Sequence, residues 1–262
     1  MTEEAAGSDV LGIRLTAAET DNGFALTGSK RYVYGGSTAD TFLVIGKSGE
    51  ATARSGLTAF LFDRPKSGLT GIPMPLMAPG PEWQMDFDAC EIPADSPLGS
   101  IGDGARIALG NLDRLRPTVG AAAVGMAQRA LDEVVAHVGR RKAFGTTLAD
   151  FQGIQFGLAM AAAEVEAARA LVYAASRFAD SPADRKLIRA SSAKAKLFAT
   201  EVAQRTVDTA LQYHGGRGLE RGSVLERLYR AVRATRVYEG ASEIMKVVIA
   251  RSLLSPPPDA NL

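Results

Sequence analysis

The feature that most constrains this chain is a change of period. After Pro93 and Pro97 the apolar residues stop alternating and recur at three- and four-residue steps, over segments about thirty residues long. Gly104–Arg140 reads as one helix, interrupted on paper only by Pro117 and scattered glycines. Over residues 148–180, Phe151, Ile154, Leu158, Ala161, Val165, Ala168 and Val172 share one helical face. A third helix is expected to open at Ser181-Pro182-Ala183-Asp184, with a capping hydroxyl, proline at the first helical position and an acid in the first turn. It should run to about Tyr213 and stop at Gly215-Gly216. Shorter helices fit residues 223–234 and 239–253, and Ser255-Pro256-Pro257-Pro258 opens a tail expected to be disordered. Long helices joined by short turns imply a bundle.

The first hundred residues have a different grammar. Phe24-Ala25-Leu26-Thr27 follows the turn Asp21-Asn22-Gly23, and 41–45 and 57–62 are β-rich runs bounded by turn residues. From Trp83 the pattern alternates, with Trp83, Met85 and Phe87 on one face and Gln84, Asp86 and Asp88 on the other. The expected fold class is therefore α+β: a small antiparallel β sheet or barrel over residues 1–98, then an up-and-down bundle of long helices over 99–254, then the tail 255–262.

Composition excludes several function classes. Thirty basic against twenty-nine acidic side chains leave a net charge of +1, which argues against a nucleic-acid binder. A single cysteine, Cys90, permits no intrachain disulfide and makes a reducing, cytoplasmic location the default. With only His137 and His214 besides, no metal site is expected. No apolar run reaches the about 18 residues of a membrane span. The acidic start Met1-Thr2-Glu3-Glu4 speaks against a signal peptide. There is no glycine-rich dinucleotide or phosphate loop after a strand and no Gly-x-Ser-x-Gly elbow.

Three clusters carry candidate chemistry. Arg140-Arg141-Lys142-Ala143-Phe144-Gly145 is either a cationic helix end or an anion-binding patch. Gln212-Tyr213-His214-Gly215-Gly216-Arg217-Gly218 is either a glycine helix stop or a polar site around one. Val237-Tyr238-Glu239-Gly240-Ala241-Ser242-Glu243-Ile244 puts a carboxylate before glycine at an expected helix start, as a dipole-stabilised acid or as a base.

In this order, the three clusters resemble the C-terminal domain of the acyl-CoA dehydrogenases. The front of the chain agrees. Thr2-Glu3-Glu4-Ala5-Ala6-Gly7-Ser8-Asp9 looks like the family segment that opens its middle β domain, and Gly28-Ser29-Lys30-Arg31-Tyr32-Val33 and Leu112-Asp113-Arg114-Leu115-Arg116-Pro117 match two further motifs. The family carries a helical domain before the Thr-Glu segment, so the resemblance implies that this domain is missing here.

The resemblance implies FAD as cofactor and α,β-desaturation of an acyl-CoA, with electrons passed to an electron-transfer flavoprotein. It implies Glu239 as the catalytic base, and Thr2, Gly7, Ser8, Tyr32 and Val33 beside the flavin or the thioester. Arg141, Phe144, Phe151, Gln152, Gln212 and Gly216 would hold the FAD diphosphate and adenosine across a subunit interface, with Gly240 and Ser242 also at the cofactor. Ser8, Asp113 and Arg116 would contact the acyl-CoA. Two departures stand out: Tyr34-Gly35 replaces the family's Thr-Asn, and Ala241 replaces a threonine. A homodimer or homotetramer is expected. The alternative is a non-catalytic or half-site subunit in a heteromer with a paralogue.

Overall fold

The computed structural model describes residues 1–49, 56–181 and 184–254; the expected tail 255–262 lies outside them, as do Pro182 and Ala183. Two compact units are formed, one from Met1–Leu76 with Gly80–Asn111 and one from Met77–Pro79 with Leu112–Leu262.

In the first unit, β1 (Thr16–Thr20), β2 (Gly23–Tyr34), β3 (Thr41–Ser48), β4 (Leu57–Asp63), β5 (Leu69–Pro73) and β6 (Glu82–Pro93) form one open sheet in the order β4-β3-β1-β2-β6-β5. It does not close into the barrel that the sequence left open, and it departs from an all-antiparallel sheet at one pairing. β1 and β3 run parallel, Thr16 opposite Lys47 and Ala17 opposite Ser48. The reason is topological: β1 and β6 occupy both edges of β2, so the chain leaving β2 crosses to the free edge of β1. Leu26, Phe60, Met85 and Phe87 fill the core, and the Phe24 and Phe60 rings meet edge to face at 5.2 Å. The alternation read from Trp83 holds through Phe87. A bulge at Ala89 (φ 44°) then shifts the register, so that Cys90 and Ile92 turn inward instead.

The N-terminal segment is pinned to this sheet by a buried ion pair. Glu3 accepts from Lys30 Nζ at 2.6 Å and from the N–H groups of Arg14 at 2.6 Å and Leu15 at 3.0 Å. Burial pushes the Glu3 carboxyl up, but Lys30 and the two backbone donors outweigh it and hold it below the usual carboxylate value.

The helical unit follows the period closely. α1 (Gly104–Arg140), α2 (Gln152–Asp180) and α3 (Arg185–His214) are the long helices, and α4 (Val224–Thr235) and α5 (Ser242–Leu254) are the short ones. The first two turns of α1 group with the sheet unit, since Gly104 packs on strand backbone: a Cβ there would lie 2.6 Å from the Thr58 carbonyl carbon. The divide thus falls inside α1 rather than at the turn residues Leu98-Gly99. No helix among the described residues is long and apolar enough to cross a membrane.

Alanine and valine dominate the bundle core: Ala123, Ala127, Ala130 and Val134 from α1, Val165, Ala168 and Val172 from α2, and Ala199, Val202 and Ala203 from α3. Two helix starts differ from expectation. Asp184, not Ser181, caps α3, its side chain accepting from the Lys186 N–H at 3.1 Å, while Ser181 closes α2. An aspartate can cap from its own position, so the hydroxyl three residues earlier is left to the preceding helix. α5 begins at Ser242, three residues after Glu239, because Glu239 and Gly240 take left-handed backbone that a helix cannot contain.

Lys30→Met leaves Glu3 buried without its counter-ion. It is expected to lower unfolding free energy by about 3–5 kcal/mol in denaturant titration at neutral pH. Glu3 contributes its stability above the ordinary glutamate pKa and loses it as pH falls through its depressed value, so the deficit should shrink in acid.

Candidate active site

The site is built on the six residues that join α4 to α5. Val237 and Tyr238 N–H groups both reach the Ala234 carbonyl, at 2.9 and 3.1 Å, and the Ser242 N–H reaches the Arg236 carbonyl at 3.0 Å. Between these bonds the chain reverses through Glu239 (φ 55°) and Gly240 (φ 93°). A Cβ on residue 240 would lie 2.5 Å from Met245 Cε at the end of a flexible side chain, so it is the positive φ that favours glycine there. Glutamate has no such freedom, and its left-handed backbone stores about 1–3 kcal/mol.

Two buried cations grip this turn. Arg116 of α1, 3% exposed, donates from Nε to the Glu239 carbonyl at 3.2 Å. Lys196 of α3, 0% exposed, donates from Nζ to the Gly240 carbonyl at 2.7 Å. Behind them, Arg116 Nη1 donates to Asp113 Oδ1 at 2.7 Å, and Arg189 and Arg185 approach the same carboxylate at 3.7 and 4.0 Å. On the α5 side, Glu201 of α3 accepts from Arg236 Nε at 2.8 Å and from Ser242 Oγ at 2.7 Å.

The Glu239 side chain is half-buried, and its Oε2 is buried without a hydrogen-bond partner among the described residues. Burial pushes its carboxyl above the ordinary value, against the opposing pull of Arg116 and Lys196. Burial also pushes Lys196 down to about 8, the charge of Arg116 adding to it, while Glu239, Glu201 and Glu243 pull it back up. A buried carboxyl oxygen with no hydrogen-bond partner among the described residues, and with raised proton affinity, has the chemistry to accept a proton.

Two family models match the chain: the acyl-CoA dehydrogenase middle domain over residues 1–78 and the acyl-CoA dehydrogenase C-terminal domain over residues 102–254. The probable acyl-CoA dehydrogenase FadE25 of Mycobacterium tuberculosis is 36% identical over 258 residues, an alignment covering 97% of this chain and 66% of the relative.

The chain belongs to the acyl-CoA dehydrogenase family.

It spans just under two thirds of that relative's length. Among solved structures, butyryl-CoA dehydrogenase from Megasphaera elsdenii superposes with a TM-score of 0.92 at 33% identity, over 97% of this chain and 67% of that one. The FAD complex of PigA does so with a TM-score of 0.89 at 26% identity, over 96% and 66%.

A second cluster lies at the far end of α1. Arg141 leads into a hairpin of β7 (Lys142–Ala143) and β8 (Thr146–Thr147), turned by Phe144 (φ 53°) and Gly145 (φ 84°). Asp150 locks the hairpin by accepting from the Thr147 N–H at 2.9 Å and its hydroxyl at 2.7 Å, and also from the Thr146 hydroxyl. Phe144 is 96% exposed and meets Phe151 edge to face, with exposed Gln152 next along the chain. The His137 and His214 rings stack at 4.1 Å and bring the end of α1 to the end of α3, which carries Gln212 and is followed by Gly216. Arg141, Phe144, Phe151, Gln152, Gln212 and Gly216 therefore gather at one end of the bundle.

In the sheet unit, the Thr2 carbonyl accepts from the Arg31 N–H at 2.8 Å, so Thr2 lies beside Tyr32 and Val33. Tyr32 is exposed on left-handed backbone (φ 57°), and Gly7 and Ser8 are exposed. Asp113 and Arg116 are buried and bonded to each other, and Arg116 also donates to the Glu239 carbonyl. Sequence reasoning missed Lys196, Glu201 and Arg236. The signal was present for Lys196: Ser192, Lys196 and Thr200 are buried at four-residue steps, a polar stripe on the inward face of α3.

Glu239 binds its proton more tightly in the folded chain than in the unfolded one. Stability therefore falls as pH rises from the ordinary glutamate value to the raised one, and stays reduced above it. Glu239→Gln is expected to raise the Tm at neutral pH by about 2–4 °C, with the gain vanishing near about pH 4. Thermal unfolding at both pH values checks it.

Proposed function

We propose that this chain carries the proton-abstracting half of an FAD-dependent acyl-CoA dehydrogenase, which desaturates an acyl-CoA thioester between Cα and Cβ and passes the electrons to an electron-transfer flavoprotein. One observation carries the reading: the Glu239 carboxyl, desolvated and without a hydrogen-bond partner, on a glycine turn gripped by two cations. A thioester α proton is weakly acidic, and a carboxylate with raised proton affinity is suited to remove it.

The residues present fit the cofactor. Arg141 is exposed at a helix end where a guanidinium fork suits a diphosphate, and Gly215 and Gly216 leave open space where a Cβ would stand. Tyr32 and Phe144 offer exposed rings on left-handed backbone. The proposed FAD contacts are Thr2, Gly7, Ser8, Tyr32 and Val33 in the sheet unit, and Arg141, Phe144, Phe151, Gln152, Gln212, Gly216, Gly240 and Ser242 in the helical unit. Bound FAD supplies the hydride acceptor for the β carbon.

This chain's part is the other half of the reaction. Glu239 takes the α proton, and its backbone N–H polarises the thioester carbonyl. Ser8 contacts the acyl-CoA. The bonds of Asp113 and Arg116 favour holding the base's turn over contacting CoA. A homodimer or homotetramer is proposed because α2 leaves Phe156, Met160 and Tyr173 exposed opposite its buried face. A cytoplasmic location fits the single buried cysteine.

Anaerobic mixing of the FAD-loaded protein with acyl-CoAs of graded chain length is expected to bleach the flavin band. Glu239→Gln should slow bleaching by about 10²–10⁴-fold. A wild-type flavin that no acyl-CoA reduces overturns the proposal. Absence of flavin, with copurification of a full-length paralogue, would instead assign the chain to a non-catalytic subunit.

A further inference from the structure

Lys196 is the largest fully buried side chain among the described residues of the helical unit, and the proposed chemistry leaves it without a task. Its side chain is fully buried, yet among the described residues its one side-chain hydrogen bond runs from Nζ to the Gly240 carbonyl at 2.7 Å. Burying an ammonium costs more than one charge-assisted hydrogen bond returns. Stability alone gives no account of a lysine on a face whose neighbours are Ser192, Ala193, Ala195, Ala199 and Thr200. The same position is well placed to act on Glu239. The carbonyls of Glu239 and Gly240 are consecutive, they belong to the two left-handed residues, and each is held by a different buried cation from a different helix.

We propose that Lys196 is a positioning residue for the base: with Arg116 it clamps the two carbonyls of the Glu239–Gly240 turn, and its charge keeps the desolvated Glu239 carboxyl ionisable. The inference deepens the dehydrogenase reading but rests on geometry inside the helical unit. The two effects separate by chemistry. Donation to Gly240 fixes the backbone and needs only an N–H. Holding Glu239 ionisable needs the positive charge. The charged groups acting on Lys196 are Arg116, which repels it, and Glu239, Glu201 and Glu243, which attract it. Glu201 is engaged by Arg236 and Ser242, and Glu243 is exposed, whereas Glu239 Oε2 has no hydrogen-bond partner.

The test follows the ionisation of Glu239 by ¹³C-carboxyl NMR on the FAD-loaded protein without substrate, with Glu239→Gln assigning the signal, alongside the pH profile of flavin reduction. Lys196→Met removes donor and charge. It should raise the Glu239 pKa by about one unit, carry the acid limb of the rate profile with it, and speed amide exchange at Ser242. Lys196→Gln keeps a donor without the charge, so it should raise the pKa similarly while leaving exchange at Ser242 near wild type. A merely structural lysine would lower the Tm in both variants and move neither the pKa nor the acid limb, and that result overturns the proposal.

If neither variant folds, the reciprocal measurement decides. By linkage, Glu239→Gln should lower the Lys196 pKa, followed at ¹⁵N-labelled Nζ, below its value of about 8. An unchanged Lys196 titration overturns the inference. Because the NMR readouts need no turnover, a protein that couples Lys196 to Glu239 but reduces no flavin refutes the dehydrogenase reading and leaves the clamp standing.

Discussion

The helical unit depends on a grip of charge on backbone: two buried cations, from α1 and α3, bonded to successive carbonyls of a six-residue turn. Without them the turn has little reason to keep its shape. A glutamate at positive φ is strained, its own carboxyl contributes no hydrogen bond from Oε2, and the next residue is glycine, the most permissive in the chain. The bonds from Arg116 and Lys196 select one conformation from the many that Gly240 allows. Glu201 fixes the far end by taking both Arg236 and Ser242, so the turn is held at its middle and at its exit into α5.

The same cations set the electrostatics. Burial raises the proton affinity of Glu239, while two positive charges pull it back. Without the cations, burial would raise that affinity further. The cations give their hydrogen bonds to the backbone of residues 239 and 240, not to the carboxyl. Their charge reaches Glu239 and their donors do not. The buried Glu239 carboxyl is thus a group that the fold carries at a cost in stability at neutral pH.

Much of this was legible in the sequence, and the exceptions share a cause. Helix periods survive because a long apolar stripe has one way to face a core, so α1 was bounded correctly from Gly104 to Arg140 and α2 to within a few residues. Glu239 stands out in the sequence as a carboxylate before glycine inside an ordered set of motifs, and the structure gives it a raised proton affinity. Lost were features decided by what lies across the fold. Ser181 and Asp184 are equal candidates for a cap until geometry chooses. β1 and β3 run parallel because both edges of β2 were already filled. Lys196 looked like any helix lysine until α3 turned it toward a turn some forty residues along the chain.

The small-residue core explains how two cations on separate helices can meet one turn. Gly120 lies one helical turn beyond Arg116 on α1. A Cβ there would come within 2.9 Å of Val172 Cγ2 and 3.6 Å of both the Ala195 carbonyl oxygen and Ala199 Cβ. Ala195 precedes Lys196 directly. At the height of the clamp, then, α1 and α3 approach as closely as side chains reduced to hydrogen and methyl allow, with α2 closing the third side. Larger residues at these positions would separate the helices by more than an arginine or lysine could absorb while keeping hydrogen-bond distances of 3.2 and 2.7 Å. The alanines and the glycine that make the bundle core look bland in composition are thus what lets α1 and α3 each deliver a charge to the same two carbonyls.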